Sequence, residues 1–306
     1  MKDFIFKLFL ILLLYQYYSR IKINNGNKNI SVCLCVIGKN ENLYATEYVN
    51  YYKKLGFDHI YIYDNNNVNE EKFNDVIYQY INTNFVTIIN IRGMIEPQCF
   101  AYFDCYKKNN KKYDWLAFFD FDEFLELPHD KNIKKFLSNT KYTKCVSIKI
   151  NFLFFSDNEL LYYDNRTLRE RFTQPLYNHS SNYFTKVIVR GKLKSNYWSY
   201  NCNPHTSHFK CISCDSMGKK VNYKTKIVKP AYYELAYLKH YYTKSTEEYF
   251  IKSYRGNAFA KVYWNNKRKM IKIRDYFLYN KKTESKIKLL MKLFNLTNND
   301  IKKFYV

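Results

Sequence analysis

Arginine is scarce in this chain of 306 residues: of 50 cationic side chains, 9 are Arg and 41 are Lys. Proteins that read nucleic acid lean on the Arg fork for phosphate and base-edge geometry, so no nucleic-acid partner is expected, even at a formal charge of +23. Glycine (7) and proline (5) are too few for a collagen-like or low-complexity chain. Internal repeats are absent too. What is abundant is apolar: 47% hydrophobic and 20% aromatic residues build a sizeable core and argue against disorder. The length fits one large domain or two intimate ones. Asn (35) and Tyr (33) accompany the Lys, the bias of an AT-rich coding sequence, so part of the charge is surface drift. The remainder favours polyanions as a class, namely a membrane surface, nucleic acid or a phosphorylated substrate.

Residues 4–18 read FIFKLFLILLLYQYY. As a helix this run spans about 22 Å, short of the hydrocarbon core of about 30 Å, and no small-residue cleavage site follows it. The expectation is a short uncleaved signal-anchor within residues 1–23, the alternative a terminal helix buried in the core. The location expected is accordingly membrane-associated and single-pass, of Golgi or endoplasmic-reticulum type in a secretory cell, with a cytoplasmic protein as the alternative. Asn-x-Ser/Thr sequons at Asn29, Asn165, Asn178 and Asn295 match the number that composition alone supplies and are no sign of secretion. Eight Cys permit disulfides without demanding them.

From Ile30 onward strand and helix alternate. SVCLCVI, HIYIYD, FVTIINI and WLAFFD are short apolar runs with polar ends. Between them lie helical spacing in ENLYATEYVNYYKKLG, stopped by Gly56, a helix around residues 72–81, and one opened by Pro97. This alternation predicts an α/β fold with a mostly parallel sheet and helices on both faces. Ligands then sit beyond the carboxyl ends of the strands, where Lys39-Asn40-Glu41, Asp64-Asn65-Asn66 and Asp120-Phe121-Asp122 all fall. After Phe124 longer β-type runs, 145–155 and 184–189, suggest a mixed second half on the same sheet. The stretch 261–306 carries 13 basic and 3 acidic residues, with Ile287, Leu290, Met291 and Phe294 at helical spacing. It reads as a solvated helix packed on the domain, or as a contact for a polyanion or membrane. The expected organisation is a hydrophobic segment 1–23, a main domain 24–260 and a basic helical extension 261–306.

Two Asp separated by one residue at a strand end can both offer oxygen to one hard divalent cation. FFDFDEFLELP meets that description after an apolar strand. The order of motifs resembles glycosyltransferases of the family 2-like and family 92 type, which have the GT-A nucleotide-sugar fold. On that resemblance, Glu41 helps hold the nucleotide base, Asp64 approaches base or ribose, and Asp120-Phe121-Asp122-Glu123-Phe124 is the metal motif. Gln98, Ala101 and Cys105 match the helix before the metal strand. Arg171-Phe172, the stretch Lys186 to Arg190, Asn203-Pro204-His205 and the closing segment 240–256 match the regions that follow. The family's Trp is replaced by Tyr48, and a Gly-containing turn by Ser156-Asp157-Asn158-Glu159.

The resemblance implies a metal-dependent transferase that moves a sugar, with inversion, from a nucleotide-diphosphate sugar, UDP-linked by expectation, to a hydroxyl of a glycan or glycoconjugate. Mn²⁺ or Mg²⁺ is the implied cofactor. Asp122 is the expected metal ligand, with Asp120 on metal or ribose and His205 completing the shell; His208 and His240 are the alternatives. Protonation below about pH 6.5 would remove such a His as a ligand. Asp157 is the candidate general base, Glu159 the runner-up. Arg255, Lys244 and Lys252 are candidates for the diphosphate, although Lys252 and Arg255 also fit a solvated helix face.

Cys202, His205, His208, Cys211 and Cys214 recur at intervals of three, which admits a zinc reading, with a local disulfide or free thiols preferred. Cys33 and Cys35 share one face of a buried strand and read as packing residues. The competing class is a non-catalytic basic protein that binds nucleic acid or membrane; it leaves the Asp-x-Asp unexplained.

Overall fold

The computed structural model describes residues 30–193, 204–206, 211–255 and 265–297. The apolar segment 1–23, Cys202 and His208 lie outside them. The first half follows the expected alternation: β1 (Val32–Gly38), α1 (Asn42–Lys54), β2 (His59–Asp64), α2 (Asn74–Asn82), β3 (Val86–Asn90), α3 (Gln98–Asn109) and β4 (Trp115–Phe118). All four strands are parallel, in the spatial order β3-β2-β1-β4. β1 and β4 are buried along their whole length, which is why they read as continuous apolar runs instead of alternating ones.

The second half adds β5 (Glu123–Glu126), the short helix α4 (Ile133–Leu137), β6 (Ser147–Phe154), the single turn α5 (Leu168–Arg171), β7 (Thr185–Arg190), β8 (Ser213–Asp215), β9 (Lys220–Val221) and β10 (Tyr237–His240). β7 joins β4 antiparallel and the sheet continues β7-β6-β10-β5, with β8 also paired to β6. The mixed second half thus extends the same sheet, as expected for a GT-A-like α/β fold. Three helices follow, α6 (Thr246–Tyr254), α7 (Asn266–Tyr279) and α8 (Glu284–Phe294). α8 buries Leu290 and Phe294 in a cluster with Tyr249, Ile273 and Tyr276, so this basic stretch packs through an apolar stripe.

β1 lies between β2 and β4, so connections leave it in opposite directions and open a crevice at its carboxyl end. Gly38 ends β1 there. A Cβ on Gly38 would stand 2.5 Å from both Phe121 and Phe73, whose rings stack 5.2 Å apart. The missing side chain therefore makes room for Phe121, the middle residue of Asp-Phe-Asp.

Cys35 is bonded to Cys105 on α3, and Cys145 to Cys214 on β8. Cys33 is a buried free thiol. The packing reading of the Cys33/Cys35 pair is thus corrected for Cys35: the face it shares with Cys33 is the one against which α3 lies. Cys214 is committed to Cys145 and so is withdrawn from the Cys/His run 202–214.

Candidate active site

Three tyrosines of α1 hold the acidic turn from beneath. Tyr48 donates to the carbonyl of Phe119 (3.2 Å), Tyr52 to that of Glu123 (2.8 Å) and Tyr51 to that of Leu125 (2.6 Å). Tyr48 packs its ring 4.7 Å from Phe121. With Phe121 buried in this aromatic bed, the flanking Asp120 and Asp122 face the other way, into a cavity of about 310 Å³. Strand pairing completes the turn: β10 runs antiparallel to β5 with His240 opposite Glu123.

One ligand atom from each of Asp122, Glu123 and His240 lies within 4.8 Å of the others. His240 Nε2 is 3.7 Å from Asp122 Oδ1 and 3.9 Å from Glu123 Oε1. Phe152 and Phe154 clamp its ring at 4.6 and 4.5 Å. Glu123 Oε1 is buried without a hydrogen bond, with Lys186 standing 3.4 Å and His240 3.9 Å away, which leaves a carboxylate oxygen for a metal ion to take. Two carboxylates and an imidazole are a donor set that suits Mn²⁺ or Mg²⁺ with water or phosphate in the remaining positions. The residues present fit the implied metal.

Each carboxylate of the site also has a cation. Lys186 of β7 lies 2.7 Å from Asp120 and 3.4 Å from Glu123, and Tyr102 donates to Asp120 at 2.8 Å. Lys252 of α6 is 2.5 Å from Asp122. Burial pushes Asp122 up, yet Lys252 and His240 outweigh it and hold the carboxyl well below the usual range. Asp120 is likewise held down, by Lys186 against its burial. Glu123 goes the other way: burial raises it well above an ordinary carboxyl, with Lys186 offsetting part of the rise.

Glu41 occupies the N-cap position of α1 without capping it. Its carboxylate is instead drawn to Lys244 (3.1 Å) and Arg255. Arg255 also donates to the carbonyl oxygens of Lys39 and Asn40. The cavity wall includes Glu41, Asp120, Asp122, Lys252, Arg255 and His205, so these expected residues do converge. Lys244 stands behind Glu41, buried over the Tyr44 ring at 3.5 Å.

Other expected residues are placed differently. Asp64 caps its own turn, accepting from the Asn66 amide at 3.0 Å beside Arg92; its neighbour Asn65 reaches the cavity instead. His205 lines the cavity, but its Nδ1 is 2.7 Å from the Thr185 carbonyl, and His240 takes the place nearest Asp122 and Glu123. Burial, followed by the Lys186 charge, pushes His205 down to about 4, so the ring is neutral well below pH 6.5. Asp157 is 1% exposed, accepts from Tyr276 and pairs with Lys286 at 2.7 Å. That arrangement neutralises its charge among the tail helices, and Asp157 is not among the residues that line the cavity. Glu159 is exposed beside Lys281.

In the sequence Glu123 and Lys186 stand out only as parts of longer motifs. A lone Lys at an inward position of the apolar strand TKVIVR was the available signal for Lys186. Arg268 and Lys272 of α7 also reach the cavity; in the sequence nothing separates them from other cations of the tail.

The model of glycosyltransferase family 92 matches residues 28–287. A glycosyltransferase family 92 protein of Ricinus communis is 27% identical over 114 residues, covering 37% of this chain and 20% of that protein. Another, from Oryza sativa subsp. japonica, is 26% identical over 113 residues, covering 36% and 18%. The match spans about a fifth of the length of these curated relatives. Among solved structures, S. aureus TarS 1-349 in complex with UDP-GlcNAc aligns over 87% of this chain and 72% of that one, with TM-score 0.39 and 14% identity. The mannosyltransferase PcManGT of Pyrobaculum calidifontis, in complex with GDP-Man and Mn²⁺, aligns over 44% and 42%, with TM-score 0.32 and 10% identity. Likeness of this degree carries no argument about the site.

Proposed function

The chain belongs to glycosyltransferase family 92, and from that premise we propose that it moves a sugar from a nucleoside-diphosphate sugar, UDP-linked, to a hydroxyl of a glycan or glycoconjugate. The observation that carries this reading is the Asp120–Glu123 turn with His240 beside it, lining one cavity at the carboxyl end of β1. Asp122, Glu123 and His240 would hold Mn²⁺ or Mg²⁺, with Asp120 beside them. Such an ion supplies positive charge to the diphosphate as it leaves. In the transfer the bond from the anomeric carbon to the β-phosphate oxygen breaks and its electron pair stays on that oxygen. The acceptor oxygen bonds to the carbon and gives up its proton to a base. Arg255 and Glu41 fix the polar turn after β1 that would face the nucleotide, and Lys252 neutralises Asp122.

Calorimetric titration with UDP in Mn²⁺ and again in excess EDTA tests the reading. Binding in the metal and loss of it in EDTA is expected; equal affinity in both removes the metal-bridged donor site. Release of free sugar from a panel of nucleotide sugars then identifies the donor.

The reading extends to location. A membrane-associated protein of an oxidising compartment is supported by the two disulfides and by the apolar segment 1–23. Among the described residues no helix is long and apolar enough to cross a membrane. Removing residues 1–22 should release a soluble, active protein; an aggregated product would place the segment in the core.

A further inference from the structure

Arg268 and Lys272 stand one turn apart on α7 and both line the cavity. They enter from the tail, facing the acidic turn. Every carboxylate of the cavity has its cation elsewhere: Glu41 in Arg255 and Lys244, Asp120 in Lys186, Asp122 in Lys252. Arg268 and Lys272 take part in none of the ion pairs among the described residues. The carboxylate of their own helix, Asp275, already accepts from Tyr242 and Tyr249 at 2.7 and 2.8 Å. Both cations also border a second groove of about 460 Å³ that adjoins the cavity, so they face open space.

The charge of the cavity is therefore unbalanced. Five cationic side chains line it against four carboxylates, and two further cations, Lys186 and Lys244, stand on those carboxylates from behind. A sugar or a nucleoside carries no charge to answer that surplus, whereas a diphosphate does. α7 is also held firmly enough to present them. Its Asp275 is gripped by the two tyrosine hydroxyls, and its Tyr276 by Asp157 and by Thr246 at 2.8 Å. Burial pushes Lys272 below the usual range; Asp275 opposes the shift, and neighbouring Lys252 and Arg268 add to it.

We propose that α7 is the diphosphate arm of the donor site, with Arg268 and Lys272 closing on the phosphates from the side opposite the Asp120–Glu123 turn. The inference rests on the nucleotide-sugar reading and deepens it: the basic extension becomes part of the donor pocket. An Arg fork beside a Lys point charge suits two linked phosphates, one held in a bidentate grip and the other by a mobile ammonium.

The test compares UDP with UMP, and GDP with GMP, by calorimetry in Mn²⁺. It uses the full chain, the double variant Arg268→Gln/Lys272→Met, and the charge-keeping variant Arg268→Lys/Lys272→Arg. Both positions are only partly buried, so thermal midpoints and Mn²⁺ affinity should stay at wild-type values. The neutral variant should lose at least about tenfold in its preference for diphosphate over monophosphate, and the charge-keeping variant should recover most of it. An unchanged preference, or an equal loss for diphosphate and monophosphate, overturns the inference while the donor reading stands. A wild-type protein that binds no nucleoside diphosphate overturns both.

Discussion

Lys286, on the last helix, brings its ammonium within 2.7 Å of Asp157, and neither side chain is more than 2% exposed. The backbone amide of Asp157 also donates to Asn280 at 2.7 Å. A single loop residue of the main domain thus fastens both α7 and α8. Removing one partner from a buried pair leaves the other charge without compensation and costs about 3–5 kcal/mol. Asp157→Ala should therefore lower stability to urea by that amount. Full stability in Asp157→Asn together with abolished transfer would instead return the role of base to Asp157.

Asp122 is flanked by Lys252 at 2.5 Å and His240 at 3.7 Å. Asp122→Asn keeps the size and forfeits the charge, so turnover should drop by about 100-fold or more with an unchanged circular dichroism spectrum. His240→Ala should weaken Mn²⁺ binding more than His205→Ala does, because His240 faces Asp122 and Glu123. Wild-type turnover in Asp122→Asn, or the reverse order of the two histidines, would move the metal site.

Lys149 on β6 is buried and donates to the carbonyls of Thr225 (2.6 Å) and His205 (3.2 Å). Burial pushes it down to about 8, below the unfolded value of about 10.5. At pH below 8 both states are protonated and the burial penalty is present in full. Between pH 8 and about 10.5 the unfolded chain binds more protons, so stability from this residue rises with pH. Lys149→Met should remove that rise: the unfolding free energy of wild type minus that of the variant should increase from pH 7.5 to pH 10. A constant difference would mean that Lys149 reaches solvent.

The two disulfides close loops of 70 and 69 residues, for which the chain-entropy account gives about 4 kcal/mol each. Reduction should lower the thermal midpoint markedly, and Cys35→Ser/Cys105→Ser should reproduce part of the loss. A reduced protein with an unchanged midpoint would show that these cysteines do not pair in solution.

The parallel half of the sheet was legible because its signals are local. VCLCVIG and WLAF are buried on both faces, and Gly56 and Pro97 punctuate the helices. The Asp-x-Asp was legible for the same reason, sitting where an apolar strand stops. The choice between His205 and His240 was not, because it depends on β10 pairing with β5 in a register that sets His240 against Glu123. Asp157 in a polar loop reads as an exposed carboxylate until Tyr276 and Lys286 arrive from the tail. The disulfide partner of Cys35 needed the packing of α3 on β1, which residue spacing does not reveal.

Glu248 gathers three stretches of chain that are far apart in sequence: Arg171 meets it through two bonds of 2.6 and 2.9 Å, Tyr44 donates to it at 2.6 Å, and it closes the capping box of its own helix with Ser245. Cutting the chain after β7 would keep all four parallel strands, yet strand Arg171 as a buried guanidinium with no carboxylate and leave the Tyr44 hydroxyl unanswered. The sheet half is thus no independent module. A piece of this protein that ends before Glu248 would lack the group that ties its first helix to its middle, and any transplant of the donor site to another scaffold must carry the closing helix along.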